Sequence, residues 1–190
     1  MVQDWDGIIP GLLAKKYDAI IASMSITEER KKKVDFTGKY YSTPAKFVAK
    51  KGANIEISKA GLKGKTVAVQ RATIHENFLR DNYGDVITIK AYATQDEANM
   101  DLASGRVDLV LADSVALDDG FLKTDAGKGF AFIGPDFTDP KWFGDGAGIS
   151  VRKGDDELRT ALDAAIAKIR ADGTYKKIND AYFEFDVFGG

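Results

Sequence analysis

Short runs of apolar residues alternate along the chain with stretches whose apolar positions recur every three or four residues. That alternation predicts an α/β protein in which parallel strands dominate the sheet. The strands are expected at 19–22, 45–49, 66–70, 86–91, 107–112 and 147–151, several of them apolar on both faces as buried strands are. The clearest helix spans Asp155 to Asp172, where Leu158, Ala161, Leu162, Ala165, Ile166 and Ile169 share one face. Acidic Asp155, Asp156 and Glu157 favour its first turn and Gly173 stops it. Further helices are expected at 6–15, 73–82, 95–104, 114–123 and 174–182.

Leu13 to Ser23 and Leu102 to Asp113 echo one another: a helix end, an Asp, apolar strand residues ending in Ala, then a polar residue. Any repeated βαβ unit gives such an echo, and so do two similar lobes. Three of the four prolines fall in Tyr40–Pro44 and Gly134–Pro140, which are the candidate places for the chain to pass between lobes.

Composition narrows the chemistry. With 190 residues, 44% hydrophobic and 29% charged, the chain is long enough for a core without disulfides or metals as staples. It has no Cys, which removes thiolate catalysis, and its single His, His75, rules out a multi-histidine metal centre. Lys and Arg number 27 against 29 Asp and Glu, so nothing suggests a nucleic-acid surface. No apolar run reaches the roughly 20 residues that span a bilayer, and the first ten residues do not read as a secretory signal. Gly144-Asp145-Gly146-Ala147-Gly148 leads into a strand rather than a helix, so a dinucleotide-type phosphate loop is not expected.

Polar side chains gather at three strand-to-helix transitions: Ser23 to Arg30, Arg71 to Glu76, and Asp113-Ser114. In open α/β sheets, ligands sit outside the carboxyl ends of strands, where helix N-termini offer N–H groups to a carboxylate or phosphate. Arg30 adds a planar fork for a carboxylate, and Asp113 an acceptor for an ammonium group, a pairing suited to a zwitterion. Each residue also has a plainer role. Ser25, Thr27, Thr73 and Asp113 suit helix caps, Arg30 opens a basic run at a helix end, and His75 reads as a surface residue. The segment Tyr182 to Phe188 reads as an aromatic packing strap.

At these residues the chain resembles the polar amino-acid solute-binding proteins of bacterial ABC importers, in the branch for lysine, arginine, ornithine, histidine and opines. The resemblance runs through Trp5-Asp6-Gly7-Ile8-Ile9-Pro10, Lys16 to Ile21, Ser25-Ile26-Thr27-Glu28-Glu29-Arg30, Val34-Asp35-Phe36, Ala103 to Asp108, Phe143 to Gly146 and Asp172 to Tyr175. It implies a two-lobed, type II periplasmic-binding-protein-like fold. The first lobe is expected at 1–44 plus 141–190 and the second at 45–140. It further implies that Arg30 holds a ligand α-carboxylate and Asp113 its α-ammonium, with Ser25 and the Ser23 backbone beside them. Thr73 then completes the carboxylate site, Trp5 lies against the ligand side chain, and Val69 and Ala72 line the same pocket.

No catalysis, metal or cofactor is implied; the partners are an amino acid and the importer's membrane subunits, in the periplasm. A hydrolyase of the cyclohexadienyl-dehydratase kind, with Glu76, His75 or Asp113 as acid, is the alternative on the same fold. Arg71, Ala72 and Ile74 depart from the Gly, Ser and Gln common in basic-ligand relatives, and Arg71 suits a second acidic group on the ligand. Val2 aligns with the end of the family's first βαβ unit of about 30 residues or more. The chain therefore reads as N-terminally truncated, with an incomplete first lobe. Strand edges left unpaired by that loss predict a strand-exchanged homodimer, or else a remnant without a ligand.

Overall fold

A computed structural model describes residues 4–184 and 186–189. After a 3₁₀ turn at Trp5–Gly7 come α1 (Ile8–Leu13), β1 (Ala19–Ile20), α2 (Glu28–Lys31), β2 (Val34–Tyr41) and β3 (Ala45–Lys50). Then follow β4 (Thr66–Gln70), α3 (Ile74–Tyr83), β5 (Thr88–Tyr92), α4 (Gln95–Ala103), β6 (Leu109–Asp113) and α5 (Ser114–Leu117). The chain ends with β7 (Phe130–Phe137), α6 (Pro140–Phe143), β8 (Ala147–Arg152), α7 (Asp156–Ala171) and α8 (Thr174–Tyr182). Contacts divide these elements into two units. One holds residues 4–6 and Pro44–Phe143; the other holds Gly7–Thr43 and the described part of Gly144–Gly190. Trp5 and Asp6, expected with the flanking segments, group with Pro44–Phe143.

The unit of Pro44–Phe143 is built on a five-stranded sheet in the order β5-β4-β6-β3-β7. Strand periodicity sorts its core into two layers, because successive side chains face opposite sides. Phe47, Val67, Val69, Leu109 and Leu111 face α3, where Phe78 and Leu79 close the layer. Val48, Ala68, Val110 and Ala112 face the opposite way, onto Ala98 and Leu102 of α4 with Leu117 and Phe121. Both faces are thus covered, as the continuous apolar runs require.

The other unit carries a three-stranded sheet, β1-β8-β2. Its buried residues include Leu12, Ile20, Met24, Ile26, Val34, Ile149, Val151 and Val187. Helix α7 has the expected amphipathic pattern, yet none of its residues is fully buried.

Parallel pairing is confined to β5-β4-β6; β3 runs antiparallel to β6 and β7, and β8 antiparallel to β1 and β2. The expectation of a largely parallel sheet therefore fails: the expected strands β1 and β8, and β3 and β6, pair antiparallel, and two eight-residue strands outside the expected set, β2 and β7, add further antiparallel pairs. Both are edge strands. In β7 the apolar run Phe130–Ile133 is cut by Gly134 and Pro135, and β2 has mostly half-exposed positions and shifts register twice against β8. The helix expected at 6–15 is shorter, ending before Lys15, which is left-handed at φ 58°. Of the aromatic strap, Phe185 lies outside the described residues. Val187 is buried and accepts from Ser42 N–H, whereas Tyr182 is exposed.

Candidate functional site

Arg30 is placed by a short segment that the chain stitches in two directions. Met24, Ser25 and Ile26 run against the start of β8: Ile26 N–H donates to Gly146 O at 2.8 Å, Gly148 N–H to Met24 O at 3.0 Å, and Ser25 bridges Ala147. Asp145 N–H donates to Ile26 O at 3.1 Å. Gly144 makes this approach possible, since a Cβ there would lie 2.2 Å from Ile26 O, and its φ of +73° suits glycine. The closely set glycines thus serve close backbone packing.

Thr27 then caps α2, its Oγ1 accepting from Arg30 N–H at 3.3 Å. The Ser25–Glu28 capping box suggested by spacing does not form; Glu28 pairs with Lys31 at 2.8 Å instead. Arg30 Nη1 donates to Ser25 O at 3.0 Å. Desolvation pushes the Arg30 pKa down to about 10, against the opposing pull of Glu29, so the guanidinium stays charged at neutral pH. A partly desolvated cation with a planar fork is a strong receptor for a carboxylate. Ser23 holds a left-handed backbone at φ 55°, and its N–H donates to Tyr40 Oη at 2.8 Å. Of the Ser23 backbone, expected beside the ligand, the N–H is engaged by Tyr40. Seventeen residues separate the two, so no local pattern announced this contact.

In the other unit, Thr73 and Asp113 follow the carboxyl ends of β4 and β6, which are parallel neighbours in the sheet. Two helix N-termini therefore open at adjacent strand ends, the arrangement from which α/β proteins build anion sites. Thr73 is buried; its Oγ1 donates to Gln70 O at 2.7 Å and accepts from Glu76 N–H at 3.2 Å. Asp113 Oδ1 accepts from Val115 and Ala116 N–H at 2.9 and 3.2 Å, capping α5. The capping readings of Thr73 and Asp113 both hold. Between β4 and α3, Ala72 sits at φ 58°, its N–H donating to Glu76 Oε2 at 2.7 Å and its carbonyl accepting from Trp5 Nε1 at 3.1 Å. Ser23 and Ala72 are two of the three non-glycine residues with positive φ among those described, and such strain gathers at ligand sites.

Trp5, Ala72, Thr73 and Asp113 thus belong to one unit, and Ser23, Ser25 and Arg30 to the other. Val69 is fully buried in the core layer beneath α3, so its side chain packs the sheet. His75 is half-buried with its ring 5.9 Å from Phe143, which corrects its reading as a surface residue. Glu76 is committed to Ala72 N–H and, at 2.6 Å, to Arg80. Among the described residues, no group of three or more His, Cys, Asp or Glu is placed to hold a metal ion. No helix among them is long and apolar enough to cross a membrane.

The chain belongs to the bacterial extracellular solute-binding proteins, family 3, whose profile matches residues 1–185. It is 55% identical over 188 residues to the L-arginine-binding protein of Pseudomonas aeruginosa, covering 98% of this chain and 73% of that protein. It is 43% identical over 190 residues to the lysine/arginine/ornithine-binding periplasmic protein of Escherichia coli, covering 100% of this chain and 73% of that one. A solved structure of a Salmonella typhimurium periplasmic binding protein with high arginine specificity matches at a TM-score of 0.87 and 35% identity. That match covers 96% of this chain and 80% of the other. The fold is therefore of the type II periplasmic-binding-protein kind. These relatives are binding proteins rather than enzymes.

Proposed function

We propose that the chain binds a basic amino acid, arginine foremost, and delivers it to the membrane subunits of an ABC importer from the periplasm. The observation that carries this is Arg30, a desolvated guanidinium held by Ser25 O in a segment sewn to β8. In this reading the two units are the two lobes of the binding protein. Arg30 takes the α-carboxylate with the α3 N-terminus at Thr73, Asp113 takes the α-ammonium, and Trp5 lies along the side chain. The names of the relatives support the ligand class, two of the three being arginine binders and the third including arginine.

Isothermal titration of the chain with L-arginine, L-lysine, L-ornithine, L-histidine and L-glutamine tests it. Saturable one-to-one heat with a basic member supports the reading, and silence across the panel refutes it. The hydrolyase alternative has less support, because Glu76 is already occupied by Arg80 and the Ala72 N–H. A strand-exchanged homodimer remains part of the proposal. The two-residue edge strand β1 and exposed Leu13 and Ile21 near it support that state, and sedimentation equilibrium tests it.

A further inference from the structure

Two carboxylates flank Trp5 and both reach Arg71. Arg71 Nε donates to Asp6 Oδ2 at 2.7 Å, and its Nη2 lies 3.8 Å from Asp4 Oδ2. Trp5 Nε1, between them in sequence, donates to the carbonyl of Ala72. The 4–6 segment is therefore pinned to the Arg71–Thr73 turn by one ion-pair triad and one hydrogen bond.

Taken from sequence, Arg71 suited a ligand with a second acidic group. In the structure that guanidinium is already matched, and the triad sums to one excess negative charge on residues that flank Trp5 in the chain and on the turn its Nε1 bonds. The neighbouring Glu76–Arg80 pair is neutral and adds nothing to that sum. Arg71, Asp6 and Asp4 are 44%, 41% and 65% exposed, so the triad adds little to stability. Its consequence is electrostatic. An additional carboxylate arriving here meets Asp4 and Asp6 rather than an open guanidinium, while a cation meets excess negative charge and an aromatic face.

We propose that the Asp4–Arg71–Asp6 triad determines side-chain selectivity, admitting a cationic side chain and rejecting amino-acid derivatives that carry a second carboxylate. This rests on the reading that the chain binds basic amino acids with Trp5 beside the side chain. Neutralising the acids exposes Arg71 and turns the turn from anionic to cationic, which reverses the preference.

The test is calorimetric titration of the wild type, Asp6→Asn, the double variant Asp4→Asn/Asp6→Asn, and Arg71→Gln. Each is titrated with L-arginine and with N²-(1-carboxyethyl)-L-arginine, an opine that adds one carboxylate, and circular dichroism checks folding. The wild type is expected to favour arginine by at least tenfold. The double variant should lose at least tenfold of that ratio, and Asp6→Asn part of it. Arg71→Gln should keep or widen the ratio, since it leaves both acids and removes their counter-charge. A double variant that binds arginine with an unchanged ratio overturns the triad's role, as does a wild type that prefers the opine. Should the double variant not fold, an unchanged ratio in both single variants overturns it equally. A wild type silent to every basic amino acid refutes the underlying function instead.

Discussion

Arg30 and Ser25 are joined within one short segment: the arginine's Nη1 donates to the serine's main-chain carbonyl at 3.0 Å, five residues back along the chain. That bond fixes one arm of the guanidinium and aims it from a segment that β8 holds in place, so the fork is preorganised. Under the proposed role, replacing Arg30 with Ala removes two charge-assisted hydrogen bonds to the ligand carboxylate, each worth about 1.5–3 kcal/mol. Arginine affinity should fall at least about 100-fold, read by titration calorimetry. Arg30→Lys keeps the charge but not the fork and should recover only part of the loss. Unchanged affinity in Arg30→Ala would remove the residue from the site.

The observed capping role of Asp113 and its proposed ammonium role are separated by one pair of substitutions. Asn caps a helix about as well as Asp, whereas Ala does not. Asp113→Asn should keep the wild-type melting temperature yet lose about 1.5–3 kcal/mol of binding, because a charged partner for the ammonium is gone. Asp113→Ala should lose the binding and also about 0.5–2 kcal/mol of stability through the cap on α5. Thermal melts alongside titration check both, and an Asp113→Asn protein that binds like the wild type refutes the ammonium role.

How much of this was legible in the sequence depends on the range of the interaction. Thr73, Asp113 and the strand-to-helix turns before α3 and α5 follow local rules of capping and apolar patterning, and the structure keeps them. So does α7, whose 3.6-residue pattern needs no partner to be read. The edge strand β2 is hidden because half-exposed positions blur the two-residue alternation, and β7 because Gly134 and Pro135 break its apolar run. Contacts across long separations left no local trace: Tyr40 on Ser23, and Asp6 on Arg71, 65 residues away. The choice of Thr27 over Ser25 as cap turns on the pairing of residues 24–26 with Gly144–Gly148, which no spacing rule encodes.

That pairing makes Gly144 a sensitive position. Alanine there must adopt φ +73° and places its Cβ 2.2 Å from Ile26 O, so the backbone has to move. The left-handed strain alone costs on the order of 1–3 kcal/mol, and the displacement carries to the segment holding Arg30. Gly144→Ala should lower the melting temperature and weaken arginine binding together. Gly52→Ala also sits at positive φ, +80°, but has nothing within 4 Å, and should cost less and leave binding unchanged. Equal losses in the two variants would show that contact with Ile26 is not the cause.

Asp101 gives a pH-dependent prediction. It is buried on α4, where Lys90 Nζ and Arg106 Nε each donate to it at 2.6 Å and the Tyr92 hydroxyl also donates, tying α4 to β5. Hydrogen bonds from Lys90, Tyr92 and Arg106, in that order, hold its pKa well below the usual carboxylate range. A depressed folded-state pKa means stability that is fully present above the unfolded value of about 3.9 and lost as pH falls toward the folded one. Asp101→Asn removes this contribution at every pH. Its urea midpoint should therefore lie clearly below the wild type's at pH 7, and the two should converge as pH drops from 4 toward 2. A gap that stays constant from pH 7 to pH 2.5 would mean that the side chain's shape, not its charge, secures α4 to β5.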